Sequence, residues 1–153
     1  MALSRFFVTP TVTSGGGGYA ANDVIGGRLQ CYGIAAPPGI RLRRIVIADK
    51  AAQNVDYVLT ILESVPTDIV DNAAITTLAD ADASKIFYEK IIDAATYRRS
   101  YTGNSIHRVE GLDVPLMSNE TDGDLWLFLW TTGTPTYGST SDISLLLHYE
   151  PYQ

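Results

Sequence analysis

Alternating apolar and polar residues are the dominant pattern along this chain, and a period of two is typical of half-buried β-strands. The alternation is regular in residues 55–62 and again in residues 143–150. In the second segment, one face holds only large apolar side chains, at Ile143, Leu145, Leu147 and Tyr149. We therefore predict a strand in each segment, with one face turned toward a core.

The apolar pattern of residues 40–47 contains a shift of one residue. The apolar residues occupy every second position up to Leu42, but the alternation resumes at Ile45, one position out of step. Such a shift turns the following side chains to the other face unless a β-bulge accommodates an extra residue. The pattern predicts a strand with a bulge at Arg43 and Arg44.

Residues 124–132 are apolar on both faces. Three leucines alternate with three aromatic residues, which are Trp126, Phe128 and Trp130. A buried helix is the competing interpretation, but the run is short, aromatic-rich and bounded by Asp122-Gly123 and Gly133, which favours a strand. One face of this strand joins the core, and the other needs a cover from loops of the same chain or from a second protomer. The three aromatic residues are therefore candidate interface residues.

Weaker strand signals lie between turn signals in the rest of the chain. These strands are predicted at residues 5–12, 24–34, 86–92, 97–101 and 105–116. Helical character is confined to residues 73–84, where one short helix is predicted at 78–83. Many short strands without alternating helices are typical of an all-β sandwich or barrel. We expect an antiparallel β-sandwich with less than about a fifth of its residues in helices.

The run Ser14-Gly15-Gly16-Gly17-Gly18 is the one low-complexity segment of the sequence. Successive glycines are typical of a flexible tether. We predict an N-terminal arm with its tether at residues 1–18, followed by the sandwich domain at residues 19–153. The apolar residues Phe6 and Phe7 indicate that the arm docks on a neighbouring chain, so both are candidate interface residues. A mobile surface loop is the other interpretation of the glycine run.

The charge balance is acidic, with 11 Lys and Arg residues against 17 Asp and Glu residues and a net charge of −6. This balance excludes a broadly basic surface, so we expect no nucleic-acid partner. No apolar run approaches the roughly 18 residues of a membrane span, and the first residues lack the apolar core of a signal peptide. We expect neither a membrane partner nor a leader.

Histidine and cysteine chemistry has little support. The two histidines, His107 and His148, have no partner at catalytic or metal-ligand spacing. The single cysteine, Cys31, suits a buried strand position. We predict no catalytic residue and no cofactor, and therefore no enzyme.

Acidic residues form two clusters that deserve a separate hypothesis. The clusters contain Asp80 and Asp82, and Glu120, Asp122 and Asp124. Carboxylates are the ligands of hard cations such as Ca²⁺, but neither cluster has EF-hand spacing. The alternative is that the first cluster caps a short helix and that Asp122-Gly123 forms a hairpin turn. We favour that alternative and predict no metal site.

Four short motifs occur in order along the chain. They are Tyr-Ala-Ala-Asn-Asp-Val-Ile-Gly-Gly at 19–27, Ile-Ala-Asp-Lys-Ala at 47–51, Asp-Asn-Ala-Ala-Ile with Leu-Ala-Asp-Ala-Asp at 71–75 and 78–82, and Pro-Thr-Tyr-Gly-Ser-Thr-Ser-Asp at 135–142. Together they resemble the head decoration, or cement, proteins of tailed bacteriophages. The resemblance implies a jelly-roll-like sandwich that forms a homotrimer on the outside of the capsid.

The resemblance also sets the leading functional hypothesis. It implies a structural protein of the virion, made in the host cytoplasm, that stabilises the capsid by bridging major capsid protein subunits. That family carries no catalytic residues. The alternative from a different class is a binding module of the phage tail or fibre that recognises a host surface glycan through Trp and Tyr side chains. The position of the gene among capsid or tail genes separates these two hypotheses.

Overall fold

The structure is a computed structural model, and it describes residues 3–15 and 17–152. Two antiparallel β-sheets pack face to face, with 45% of the residues in strands and 7% in helices. These proportions confirm the all-β antiparallel sandwich that the alternation predicts.

Within residues 3–15 and 17–152, ten strands make up the two sheets. The six-stranded sheet contains β1 (Ser4–Val8), β3 (Ile40–Asp49), β6 (Arg98–Tyr101), β7 (Asn104–Val109), β8 (Val114–Leu116) and β10 (Ile143–Pro151). The four-stranded sheet contains β2 (Val24–Cys31), β4 (Tyr57–Leu62), β5 (Ile86–Ile92) and β9 (Leu125–Thr131). The helical elements are a 3₁₀ turn at Ile75–Thr77 and the four-residue helices α1 (Asp80–Ala83) and α2 (Ala94–Tyr97).

Neighbouring strands follow the order β1-β10-β3-β7-β6 in the first sheet, where β8 also pairs with β3, and β2-β9-β4-β5 in the second. Eight strands remain when β6 and β8 are set aside. Numbered along the chain, they lie in the orders 1-8-3-6 and 2-7-4-5, which is the connectivity of a jelly roll. The jelly-roll-like sandwich is therefore confirmed.

The core lies between the two sheets and is built from the apolar half of each alternation. Ile45 and Ile47 of β3, Leu145 of β10 and the leucines of β9 are at most 1% exposed. Full burial of an aliphatic side chain of this size contributes about 1.5–3 kcal/mol. The period of two thus decides which face of each strand is inside.

The bulge in β3 lies where the phase shift predicts it. Arg44 is opposite His148, but the next pair is Leu42 opposite Tyr149, so Arg43 is the extra residue. The bulge allows Leu42 and Ile45 both to point into the core although they are three positions apart.

The described part of the N-terminal segment belongs to the sandwich. β1 pairs antiparallel with β10 of its own chain, and Val12, which follows β1, is 1% exposed in the core. Tyr19, on the far side of the glycine run, is equally buried at 2%. In this fold, β1 is thus an edge strand of the six-stranded sheet. Residues 1, 2 and 16 of the predicted arm lie outside the described residues.

Two local predictions need correction. The segment 105–116 forms two strands, β7 and β8, because Gly111 has a φ of 71° and turns the chain between them. α2 had no predicted counterpart, since four residues show no helical period. Its one sequence signal is Asp93, whose carboxylate accepts a hydrogen bond from the N–H of Thr96 at 2.8 Å as an N-cap.

Candidate interaction surface

The three aromatic candidates of β9 lie on the outer face of the four-stranded sheet. Leu125, Leu127 and Leu129 point the other way, into the main core. Phe128 is only 1% exposed, and Trp126 and Trp130 are half-buried beside it. The outer aromatic face of β9 is therefore already covered.

The cover comes from the same chain. We call residues 63–85, which connect β4 to β5, the cover segment. Its apolar side chains Ile69, Ile75 and Leu78 pack with the β9 aromatics in a second apolar cluster. The structure therefore contains the intrachain alternative, and this face of β9 does not need a second protomer.

Asp82 of α1 holds the two ends of the cover segment together by hydrogen bonds. Its carboxylate is fully buried and accepts hydrogen bonds from the N–H and hydroxyl of Thr67, the N–H of Asp68 and the ammonium of Lys85, at 2.9–3.0 Å. Burial alone would raise the pKa of Asp82, but these donors outweigh it and lower the pKa. Asp82 is thus a structural anchor of the loop. It lies inside the helix, and Ala79 is the N-cap residue.

The second acidic cluster also stabilises loops. Ligand oxygens of Glu120, Asp122 and Asp124 lie within 4.8 Å of one another. Asp124, however, accepts from the N–H of Gly33 at 2.6 Å and from the amide of Gln30 at 2.5 Å, and Glu120 accepts from the N–H of Val65 at 2.6 Å. These oxygens hold neighbouring loops, and Asp122-Gly123 lies in a turn before β9.

A buried polar network connects the end of β3 to two tyrosines. The carboxylate of Asp49 accepts from the N–H groups of Ala51 and Gln53 and from the hydroxyl of Tyr57, which also bonds the hydroxyl of Tyr137 at 2.9 Å. Burial raises the pKa of Asp49 and of both tyrosines. This network fixes the turn that follows β3.

His107 of β7 is fully buried beside this network. Its Nε2 lies 3.1 Å from the carbonyl oxygen of Val55, and its ring packs edge-on against Tyr57 with 4.9 Å between ring centroids. Burial lowers the pKa of His107. The ring therefore serves as a neutral core residue.

The two N-terminal candidates face opposite sides of β1. Phe6, opposite Leu147, packs against the main core. Phe7, opposite Leu146, points outward and is 62% exposed. Of the five candidate interface residues, Phe7 alone is largely exposed.

Phe7 belongs to an exposed surface that strand pairing assembles on the outer face of the six-stranded sheet. Three rows of side chains cross the sheet side by side. The middle row is Phe7, Leu146, Val46 and Arg108. The row on one side is Arg5, His148 and Arg44, and the row on the other side is Ser144, Ala48, Ile106 and Arg99. We call this surface the arginine face. Its apolar centre is Phe7, Val46, Ile106 and Leu146, and its basic rim is Arg5, Arg44, Arg99 and Arg108.

The rim of the arginine face has more positive than negative charge. Glu110 lies 3.2 Å from Arg44 and 4.0 Å from Arg108 and is the acidic neighbour of both. Partial burial lowers the pKa of His148 in the middle of the face, and the nearby charges of Arg44 and Arg5 lower it further. The histidine is thus mainly neutral at pH 7 and the guanidinium groups set the local potential.

The arginines beside this face are neutralised. Arg41 and Arg43 both bind Asp113, at 2.6 and 2.8 Å, and Arg43 also pairs with Glu150. The hydrogen bond from Arg41 lowers the pKa of Asp113. The positive excess is therefore confined to the four rim arginines.

A smaller apolar depression of about 230 Å³ lies between β5 and β8, which are edge strands of different sheets. Phe87 and Met117 contribute exposed side chains, at 44% and 47%. We call this depression the apolar corner. Its other lining residues are Pro38, Pro115, Leu116 and Tyr152.

No protein-family model matches the chain, and no curated protein matches it. Over the described ranges, none of the helices is long and apolar enough to cross a membrane.

Proposed function

We propose that this chain is a non-enzymatic structural protein of a phage virion that binds the outside of the capsid and bridges major capsid protein subunits. The resemblance of the four sequence motifs suggests this class. One structural observation supports it, which is a difference in cover between the outer faces of the two sheets. The cover segment packs on the β9 aromatics of the outer face of the four-stranded sheet, whereas Phe7 in the apolar centre of the arginine face is 62% exposed.

An open apolar sheet face is suited to protein docking. Phe7 is 62% exposed, and the half-buried side chains Val46, Ile106 and Leu146 lie beside it on neighbouring strands. Contiguous apolar residues with a charged rim are typical of protein interfaces. Their burial against capsid subunits would favour the assembled shell by mass action.

Bridging requires a second contact. The apolar corner is the candidate for it, since Phe87 and Met117 are exposed at an edge of the sandwich. The homotrimer implied by the resemblance is part of the same proposal. Three protomers would multiply the contacts with the shell and increase the avidity of binding.

The test uses phage heads assembled without this protein. The purified full chain should co-sediment with them in a saturable ratio and raise the temperature at which they open. Phe7→Ser should weaken binding by about tenfold, because it removes an exposed aromatic from the proposed interface. Tyr32→Ser is the matched control, since Tyr32 is also exposed, at 72%, but lies in the turn after β2.

Failure of the wild-type chain to bind heads would contradict the proposal. Binding to purified tails or to glycans of the host surface, without binding to heads, would support the alternative of a tail-associated binding module. Equal effects of Phe7→Ser and Tyr32→Ser on head binding would show that the arginine face is not the contact.

A further inference from the structure

We infer that the partner of the arginine face is an acidic protein surface with an apolar centre, belonging to another protein and not to a second copy of this chain. The inference rests on the proposed function for the identity of the partner as a capsid subunit. The chemistry of the partner follows from charge, shape and symmetry.

Charge is distributed unevenly over the molecule. The four rim arginines and Glu110 give the arginine face a net charge of +3, although the whole chain has −6. The rest of the chain therefore carries −9. Rim charges of one sign guide a partner of the opposite sign into register and make the association rate depend on salt.

The apolar centre favours a protein over other polyanions. Phosphates of nucleic acid offer nothing to pack on Val46, Leu146 and Ile106. A membrane is disfavoured because these three side chains are half-buried and do not project for insertion. An acidic protein surface supplies both carboxylates for the rim and apolar side chains for the centre.

A second copy of this chain also has an acidic surface, but its location does not allow a closed oligomer. Asp68 and Asp80 of the cover segment and Glu89 of β5 are exposed on the outer face of the other sheet. The two outer faces of a sandwich point in opposite directions. Contact between the arginine face of one copy and the acidic face of the next would therefore repeat head to tail, and the chain of copies would not close into a ring. Such contacts produce filaments and not a closed oligomer, which argues for a different protein as the occupant.

The experiment measures binding to the heads described above at several salt concentrations. The variants are Arg5→Glu and Arg99→Glu, at opposite edges of the arginine face, and Lys50→Glu, an equal charge change on the exposed turn that follows β3. The two arginine variants should weaken binding by about tenfold or more at 0.05 M salt, with the difference reduced to about twofold near 0.5 M. Lys50→Glu should bind like the wild type.

Equal binding by all three variants would overturn the inference and leave the proposed function intact. If the wild type does not bind heads, the proposed function fails, and a second measurement tests the inference alone. Poly-L-glutamate should shift the backbone NMR signals of Arg5, Arg99 and Arg108, whereas poly-L-lysine should not. Absence of these shifts, or tighter binding of duplex DNA or phosphatidylserine vesicles to the same face, would overturn the inference.

Discussion

At the residue scale, two glycines with nearly the same φ have different surroundings. Gly103 has a φ of 79° in the turn between β6 and β7, and Gly123 has a φ of 78° before β9. A Cβ at position 103 would meet nothing within 4 Å, but one at position 123 would lie 2.5 Å from the backbone nitrogen of Ala36. A side chain at position 103 would thus add backbone strain alone, whereas one at position 123 would add the same strain and a steric clash with Ala36.

We expect Gly103→Ala to lower the free energy of unfolding by about 1–2 kcal/mol, because an L-residue is strained at positive φ. Gly123→Ala should cost about 3 kcal/mol or more, since displacement of Ala36 adds to the same strain. Urea denaturation of both variants measures the difference. Equal losses would mean that the backbone at residue 36 moves freely.

His107 should make stability depend on pH near neutrality. Its pKa in the folded protein is lowered, chiefly by burial, below the value of about 6.5 in the unfolded chain. The unfolded state therefore binds more protons below that pH, so this contribution to stability is complete above about 6.5 and is lost as pH falls toward the folded pKa.

The slope is at most about 1.4 kcal/mol per pH unit for one histidine. His107→Phe, which keeps an aromatic ring beside Tyr57, should remove this part of the slope. His148→Gln is the control, and it should change the slope less because His148 is only half-buried. The measurement is the free energy of unfolding between pH 5 and 7.5, and an unchanged slope in His107→Phe would contradict the assignment.

At the scale of elements, the cover segment depends on one buried carboxylate. Asp82→Asn replaces a charged acceptor by an amide whose NH₂ group faces N–H donors, so we expect a loss of about 1–3 kcal/mol. The fluorescence of Trp126 and Trp130 should shift to the red as the cover loosens. Asp80→Asn, in the same helix but exposed, should have neither effect.

The Asp82 comparison also has a pH signature. Because the folded pKa of Asp82 is lowered, its contribution is present above the unfolded pKa of about 3.9 and is lost as pH falls through the folded value. The stability difference between the wild type and Asp82→Asn should therefore shrink in strong acid. A constant difference down to pH 2 would mean that the charge of Asp82 is not what holds the cover.

β1 provides a comparison between adjacent residues of the same type. Phe6→Ala should lower the free energy of unfolding by about 1–3 kcal/mol, because Phe6 packs on the core. Phe7→Ala should change it by less than about 0.5 kcal/mol, because Phe7 is exposed. Thermal unfolding of both variants checks this. Similar small effects would indicate that β1 is detached from the sandwich in solution.

Strands were predictable from the sequence because alternation is a local signal. The bounds of β5 agree with the predicted 86–92, and the bulge at Arg43 follows from a shift of phase that can be counted in the sequence. The cover segment was not predictable in the same way. Its contact with Phe128 joins residues far apart in sequence, and periodicity indicates only that β9 needs a cover.

At the scale of the whole molecule, the jelly-roll connectivity creates the arginine face. Arg5, Arg44, Arg99 and Arg108 lie on four strands, and only the register of these strands brings them to one surface. In the sequence they are ordinary outward positions of an acidic chain, and no local pattern joins them into one surface. The aromatics of β9 stand out in the sequence, since hydrophobicity is visible without the register.

The last prediction concerns self-association. The two tryptophans of the chain, Trp126 and Trp130, both lie on the outer face of β9, so their fluorescence reports on any contact made there. Because the cover segment of the same chain packs on them, the emission maximum should stay constant when the protein is diluted from about 100 μM to 0.1 μM. Sedimentation over the same range gives the oligomeric state independently. If a trimer dissociates on dilution without a spectral change, it is held by another surface, such as the apolar corner. A red shift that accompanies dissociation would instead mean that a neighbouring protomer, and not the cover segment alone, shields the aromatic face of β9.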